Sequence, residues 1–274
     1  MKTEPIRFDG QVVIVTGAGR GLGAAYAKLL AARGASVVVH DAGVNRDGTG
    51  GDTAPALAVA AEIEAAGGTT VAATSNLAQK EACEALVETA VSQFGRLDVL
   101  IHSAGLVAYE GIETTSDSEW EHMLDINIQA PFWLCRAAWP LMREQKYGRI
   151  VLTVSGYGLQ AFDGSDVTAY GIGKAAQFGL MNGLAGEGSA HDILVNAISP
   201  VAATRIYRSN IGREALPPES VATAVALLAS RQCPWNGKVL QAAGGRFALA
   251  EFDTIKEVTL EIVPEPEALL AALR

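Results

Sequence analysis

The sequence predicts an α/β protein, a doubly wound parallel sheet of seven strands with helices on both faces. Three observations carry that expectation. Seven short β-branched runs alternate with Ala-rich stretches of helical length. Several of the runs are apolar almost throughout, as strands buried on both faces must be. No internal repeat and no Pro/Ser-rich linker divides the 274 residues, so residues 1–274 are expected to form one domain.

In chain order the strand runs are QVVIV, ASVVVH, TTVAAT, LDVLIH, GRIVLTV, ILVNAI and GKVLQA. Between them lie helical patterns over Leu22–Arg33, Ala54–Ala66, Gln79–Phe94, Ser118–Gln145, Thr168–Ser189 and Pro218–Ser230. Two segments read as irregular. AGVNRDGTGGDT follows the second strand and lacks the closing Glu of a calcium loop, so it is read as a loop. TRIYRSNIGREALPP, about 204–218, is long enough to be a lid, and residues from about 247 to 274 read as a C-terminal extension.

Composition narrows the partners. Apolar residues are 49% and charged residues 19%, enough for a large core. The net charge of −9 argues against nucleic acid or an anionic membrane as partner, so any anionic ligand needs a local binding device. Cys83, Cys135 and Cys233 are odd in number and far apart, and the four histidines have no metal spacing. With no apolar leader in MKTEPIRFDG and no run long enough for a membrane span, a reduced, cytoplasmic, metal-free protein is expected.

VVIVTGAGRGLGAAYAKLLAARG runs from strand through Gly-rich turn into helix. Glycines at 17, 19, 21 and 23 let the backbone turn sharply and approach a ligand, and the helix starting near Leu22 aims free N–H groups at a pyrophosphate. Asp41 closes the second strand, where a carboxylate accepts the hydroxyls of an adenosine ribose and repels a 2′-phosphate. Arg20 pulls towards that phosphate; Asp41 bears more directly on the ribose, so NAD is the expected cofactor.

In DVTAYGIGKAAQ, Tyr170 and Lys174 stand four residues apart, on one face of a helix. An ordinary phenol, with pKa near ~10, is a poor base at neutral pH. An ammonium one turn away favours the phenolate, so Tyr170 is expected to act as general acid/base with Lys174 lowering its pKa.

TGAGRGLG at Thr16–Gly23 together with YGIGK at Tyr170–Lys174 resembles the short-chain dehydrogenase/reductase family, over roughly residues 8–246. The resemblance implies a single-domain Rossmann fold and alcohol–ketone chemistry with a nicotinamide cofactor. It assigns Asn127 to holding a water near Lys174, and Ser155 to hydrogen-bonding the substrate oxygen. Lys174 also bonds the nicotinamide ribose. Gly17, Arg20, Gly21, Leu22, Gly23, Asp41, Asn76, Leu77, Ser103, Ala104, Gly105, Tyr170, Lys174, Pro200, Val201 and Thr204 are implied to line the cofactor. The chain departs from the family pattern in places. HSAG at His102–Gly105 replaces two asparagines, which weakens the expected tie between this turn and its neighbouring strand. The Ser155–Tyr170 interval is longer than usual by about two residues, and Pro-Gly becomes Pro200-Val201.

VVVHDAG, NAISPVAATR and NGKVLQAAGGRFALAEFD are most similar to the (3R)-hydroxyacyl-CoA dehydrogenase domains of peroxisomal multifunctional β-oxidation enzymes. That branch implies a hydroxyacyl thioester substrate; of the lid arginines Arg205, Arg208 and Arg213, at least one of Arg208 and Arg213 is a candidate for the CoA phosphates, the alternative being solvated residues or surface ion pairs, and Tyr207 and Ile211 are candidates to cover the acyl chain. A steroid or cyclic-alcohol dehydrogenase and a non-catalytic NAD-binding regulator remain the alternatives. Gly179, Gly183 and Gly186 are expected to let their helix approach a neighbour, and the family implies a homodimer or homotetramer.

Overall fold

A computed structural model of the chain describes residues 4–45, 48–205, 214–251 and 266–273. Seven parallel strands form as the sequence predicts. They are β1 (Val12–Thr16), β2 (Ser36–His40), β3 (Thr69–Ala73), β4 (Val99–His102), β5 (Gly148–Thr153), β6 (Ile193–Val201) and β7 (Val239–Ala243). The sheet order is β3-β2-β1-β4-β5-β6-β7-β8. An eighth strand, β8 (Arg246–Ala250), pairs antiparallel with β7 and was not among the expected runs. Gly244 and Gly245, both at positive φ (52° and 83°), make the two-residue turn between them, a conformation that costs glycine little.

Period-2 alternation sorts the strand residues between two cores. Val13, Val15, Val37, Val39, Val99 and Ile101 face α1 (Gly21–Ala32), α2 (Ala54–Ala65) and α8 (Pro218–Ala229). Ile14, Val38, Leu100, Ile150, Leu152 and Val195 face α3 (Lys80–Phe94), α5 (Ala130–Gln145) and α7 (Thr168–Gly188). Because both faces are covered there, the central strands β1, β2, β4 and β5 are buried at nearly every position. Truncating a fully buried member such as Ile14 to Ala would cost about 2–5 kcal/mol.

The expected helix over Ser118–Gln145 is broken in register. The α4 helix (Asp117–Leu124) starts at a capping box in which Ser116 and Glu119 bond reciprocally. One wide turn, Asp125–Gln129, follows, with the Ala130 N–H reaching back five residues to the Asp125 carbonyl before α5 continues. Such π-turns bulge a helix and re-aim the side chains they carry. This one carries Asn127. Among the described residues the remaining elements are the short α6 (Gly156–Leu159), a 3-10 turn at Ser189–His191 and a terminal α9 (Pro266–Leu273). Of the expected lid, residues 206–213 lie outside the described residues.

Candidate active site

The carboxyl ends of β1, β2, β3, β4, β5 and β6 bring the described site segments to one edge of the sheet. Open α/β sheets bind ligands at that edge. Thr16, buried at the end of β1, organises the centre. Its Oγ1 accepts the Ser103 and Ala104 N–H groups at 3.2 and 3.1 Å and lies 3.0 Å from His102 Nδ1. With both lone pairs engaged, the hydroxyl proton goes to His102, which places the ring proton on Nε2. The HSAG turn is therefore firmly tied to β1, through different groups from those the sequence led us to expect. Burial pushes His102 down to about 3, so the ring stays neutral.

The glycine loop is a close-packed cradle. A Cβ at Gly17 would come within 2.8 Å of Ala104 Cα, and one at Gly21 within 3.2 Å of Thr204 Cγ2. The Asp41 carboxylate accepts the Gly19 N–H at 2.8 Å and the Gly43 N–H at 2.7 Å, joining the phosphate loop to the end of β2. Arg20 is exposed at the N-cap of α1. Asn76 is exposed and closes a local turn onto the Ala78 N–H, while Leu77 is buried.

On the other side of the cleft, α7 brings Tyr170 and Lys174 beside Ser155. The Tyr170 ring is half-buried over Leu106, Met123 and Ala169. Lys174 is buried, donates to the Thr153 carbonyl at 2.8 Å and lies 5.8 Å from the Tyr170 ring centroid. Burial raises the Tyr170 phenol above its ordinary value; the Ser155 hydroxyl opposes this, while Tyr109 and Tyr157 add to it. The expected lowering by Lys174 is not found. Lys174 is itself depressed to about 8 by desolvation, and its ammonium is turned towards Thr153.

Asn127 is fully buried on its π-turn. Its Oδ1 accepts the Leu106 N–H at 3.1 Å and its Nδ2 donates to the Leu106 carbonyl at 3.0 Å, and Gln177 Nε2 donates to the Asn127 carbonyl at 3.1 Å. A Cβ on Gly105 would meet Asn127 Oδ1 at 3.2 Å and Lys174 Nζ at 3.3 Å, so the two residues flank one glycine.

These elements coincide with a known pattern: the family model described as short chain dehydrogenase matches residues 11–211. The chain belongs to the short-chain dehydrogenase/reductase family. It is an oxidoreductase by that membership. This dehydrogenase/reductase is 40% identical over 244 residues to the mouse peroxisomal multifunctional enzyme type 2, covering 88% of its own length and 32% of the mouse enzyme. It thus spans about a third of that relative. A short chain dehydrogenase from Mycobacterium avium matches in structure with a TM-score of 0.85 at 36% identity, over 97% of this chain and 95% of that one. A metagenomic short-chain oxidoreductase in complex with NADP matches with a TM-score of 0.71 at 32% identity, over 84% and 95% of the two chains.

Several residues that shape the site of this dehydrogenase/reductase escaped sequence reading. Thr16 lay inside the quoted motif, but its role depends on a turn 87 residues away. Gln177 and Thr153 hold Asn127 and Lys174; the i,i+3 spacing of Lys174 and Gln177 was the available signal. Tyr157, in α6, stacks edge-on against Tyr170. Pro200 and Val201 close β6, and Thr204 sits beneath the glycine loop. Arg205 donates twice to the Val44 carbonyl, at 3.1 Å each, linking the start of the lid segment to the loop after β2. Arg208 and Arg213, with Tyr207 and Ile211, lie outside the described residues. Among the described residues no three His, Cys, Asp or Glu side chains gather as a metal site, and no helix is long and apolar enough to cross a membrane.

Proposed function

We propose that this short-chain dehydrogenase/reductase interconverts a secondary alcohol and a ketone with NAD, and that its substrate is a 3-hydroxyacyl-CoA. The observation that carries the reading is the convergence of Ser155, Tyr170 and Lys174 on one edge of the sheet, across from a glycine cradle too tight for side chains. The cradle fits a dinucleotide: its backbone would admit a pyrophosphate where a Cβ could not stand, and Asp41, bonded to the Gly19 N–H, would meet the ribose. Gly17, Arg20, Gly21, Leu22, Gly23, Asp41, Asn76, Leu77, Ser103, Ala104, Gly105, Pro200, Val201 and Thr204 would hold it. Nicotinamide supplies hydride exchange when bound.

The chain's own residues handle the proton. Tyr170 Oη takes the proton from the alcohol oxygen in oxidation and returns it in reduction. The Ser155 hydroxyl donates to the same oxygen and stabilises charge building there. Lys174 would bond the nicotinamide ribose and carries positive charge into a dry site, and Asn127 fixes the turn beside it. Burial favours the protonated phenol, which suits Tyr170 to donating its proton to a ketone.

The thioester assignment is supported by the likeness to the multifunctional enzyme and by VVVHDAG and NAISPVAATR. For the cytoplasmic setting expected from the sequence, the free, buried Cys83, Cys135 and Cys233 support only that the compartment is a reducing one. We also propose that residues 1–274 act as one unit in a homodimer or homotetramer. Phe132 and Ile172 are 46% and 43% exposed, and Gly179, Gly183 and Gly186 leave open space within the chain, which supports a partner copy over α5 and α7. The test is NADH formation over a panel of 3-hydroxyacyl-CoAs, steroids and cyclic alcohols, with light scattering for assembly. Turnover of steroids alone would reject the thioester.

A further inference from the structure

The segment between Ser155 and Tyr170 opens with α6 and carries two large aromatics, Tyr157 and Phe162. Ser155 N-caps α6, its hydroxyl accepting the Tyr157 N–H at 3.4 Å. The Tyr157 ring meets the Tyr170 ring edge-on, with centroids 6.3 Å apart at 67°, and meets the Phe162 ring at 5.0 Å and 63°. Both the Tyr157 and Phe162 rings face solvent, at 41% and 44% exposure. Large aromatics left open beside a reacting group mark a binding surface better than a structural one.

The rings are held in place. A Cβ at Gly158 would stand 2.6 Å from the Ala175 N, and one at Gly171 3.0 Å from the Tyr157 carbonyl, so α6 lies flat on α7. A Cβ at Gly156 would meet the Phe162 ring at 3.2 Å, so that ring covers the start of α6. From Val154 to Phe162 there is no charged residue; the first to follow are Asp163 and Asp166, both exposed.

We infer that Tyr157 and Phe162 determine specificity by receiving an uncharged apolar arm on the carbon that bears the reacting hydroxyl, while Asp163 and Asp166 disfavour an arm ending in a carboxylate. This deepens the proposed alcohol–ketone reaction and rests on it. The substrate class is an extended secondary alcohol with no charge close to the reacting carbon, as in a thioester, whose linkage is neutral, and unlike a free hydroxy acid. A fully buried methylene gains about fourfold in affinity; a shelf open on one side gains about twofold, or on the order of tenfold from a four-carbon to an eight-carbon arm.

The experiment measures kcat/KM along two straight-chain series, secondary alkanols and N-acetylcysteamine thioesters of 3-hydroxy acids. The expected result is a rise of about tenfold across either series in the wild type, carried by KM. In the Tyr157→Ala, Phe162→Ala double variant the long-to-short ratio should fall to within about twofold of unity, while Tyr157→Phe keeps it. NADH affinity checks that the variants fold. Asp163→Asn with Asp166→Asn should raise kcat/KM for the free hydroxy acid several-fold, more at low salt. A long-to-short ratio unchanged in the double variant, or a flat profile in the wild type, overturns the aromatic assignment; an unchanged free acid overturns the acidic one. Activity on alkanols but on no thioester defeats the thioester reading alone, because the alkanol ratio still judges the two rings. Inactivity towards both series defeats the reaction and this inference together.

Discussion

Lys174 Nζ donates to the Thr153 carbonyl at 2.8 Å, fastening the helix that carries Tyr170 to the strand that leads to Ser155. The bond is made inside the protein, and desolvation holds the folded pKa at about 8, below the ordinary lysine value. Below about pH 8 both folded and unfolded chains are protonated and the folded state bears the whole cost of the buried charge. Above it the unfolded chain holds more protons, so stability rises with pH until the unfolded lysine also titrates. Lys174→Met should therefore stabilise the protein by roughly 1–3 kcal/mol at neutral pH while abolishing turnover. Urea denaturation of wild type and variant at neutral pH and near pH 10 checks it, and the gain should shrink at the higher pH.

Tyr170→Phe keeps the ring on Leu106 and Ala169 and removes only the hydroxyl. Turnover should fall by at least ~10²–10⁴ with NADH affinity nearly unchanged. Steady-state kinetics with a fluorescence titration of NADH measure both. Turnover within a few-fold of wild type would remove Tyr170 from the mechanism.

Because burial raises the phenol, alcohol oxidation should climb with pH through the neutral range and well into the alkaline. The measurement is kcat/KM for oxidation against pH. A plateau already reached near neutrality would show that a bound cofactor lets Lys174 override burial.

Asp41 should impose NAD over NADP, since its charge meets the 2′-phosphate at short range. Asp41→Ser should narrow the preference at least tenfold. Equal affinity of the wild type for NADH and NADPH would show that Arg20 governs the choice.

Two glycines on α7 should respond oppositely to alanine. A Cβ at Gly173 would press to 2.7 Å from Asn127 Cβ, so Gly173→Ala should displace the π-turn, cost about 1–3 kcal/mol and cut activity. Gly179 has open space, and Gly179→Ala should gain up to ~1 kcal/mol in a monomer through helix propensity. Thermal unfolding tests both; destabilisation at Gly179 would itself point to a second copy packed there.

Strand positions were legible because a sheet covered on both faces writes itself as uninterrupted apolar runs, and the glycine loop because its turn demands glycine. The edge strand β8 was passed over although Gly244–Gly245 between two apolar runs is a hairpin signal; its Phe247 and Leu249 face outward, so no buried pattern announced it. The π-turn at Asn127 leaves almost no trace in DINIQAP, because one extra residue per turn changes no residue type. The pKa of Tyr170 was misread for a related reason. Spacing put the ammonium one turn away, but it could not show that the charge is itself desolvated and aimed at Thr153.

The strand order has a consequence for synthesis. Since β1 lies between β2 and β4, the phosphate loop and the turn that Thr16 grips can assemble once about the first hundred residues have left the ribosome. Tyr170 and Lys174 follow tens of residues later, and Pro200 later still. A nascent chain can therefore form the glycine loop and the turn beside it before Ser155, Tyr170 or Lys174 exists, and the catalytic half, with Pro200 and Thr204, docks onto that earlier half.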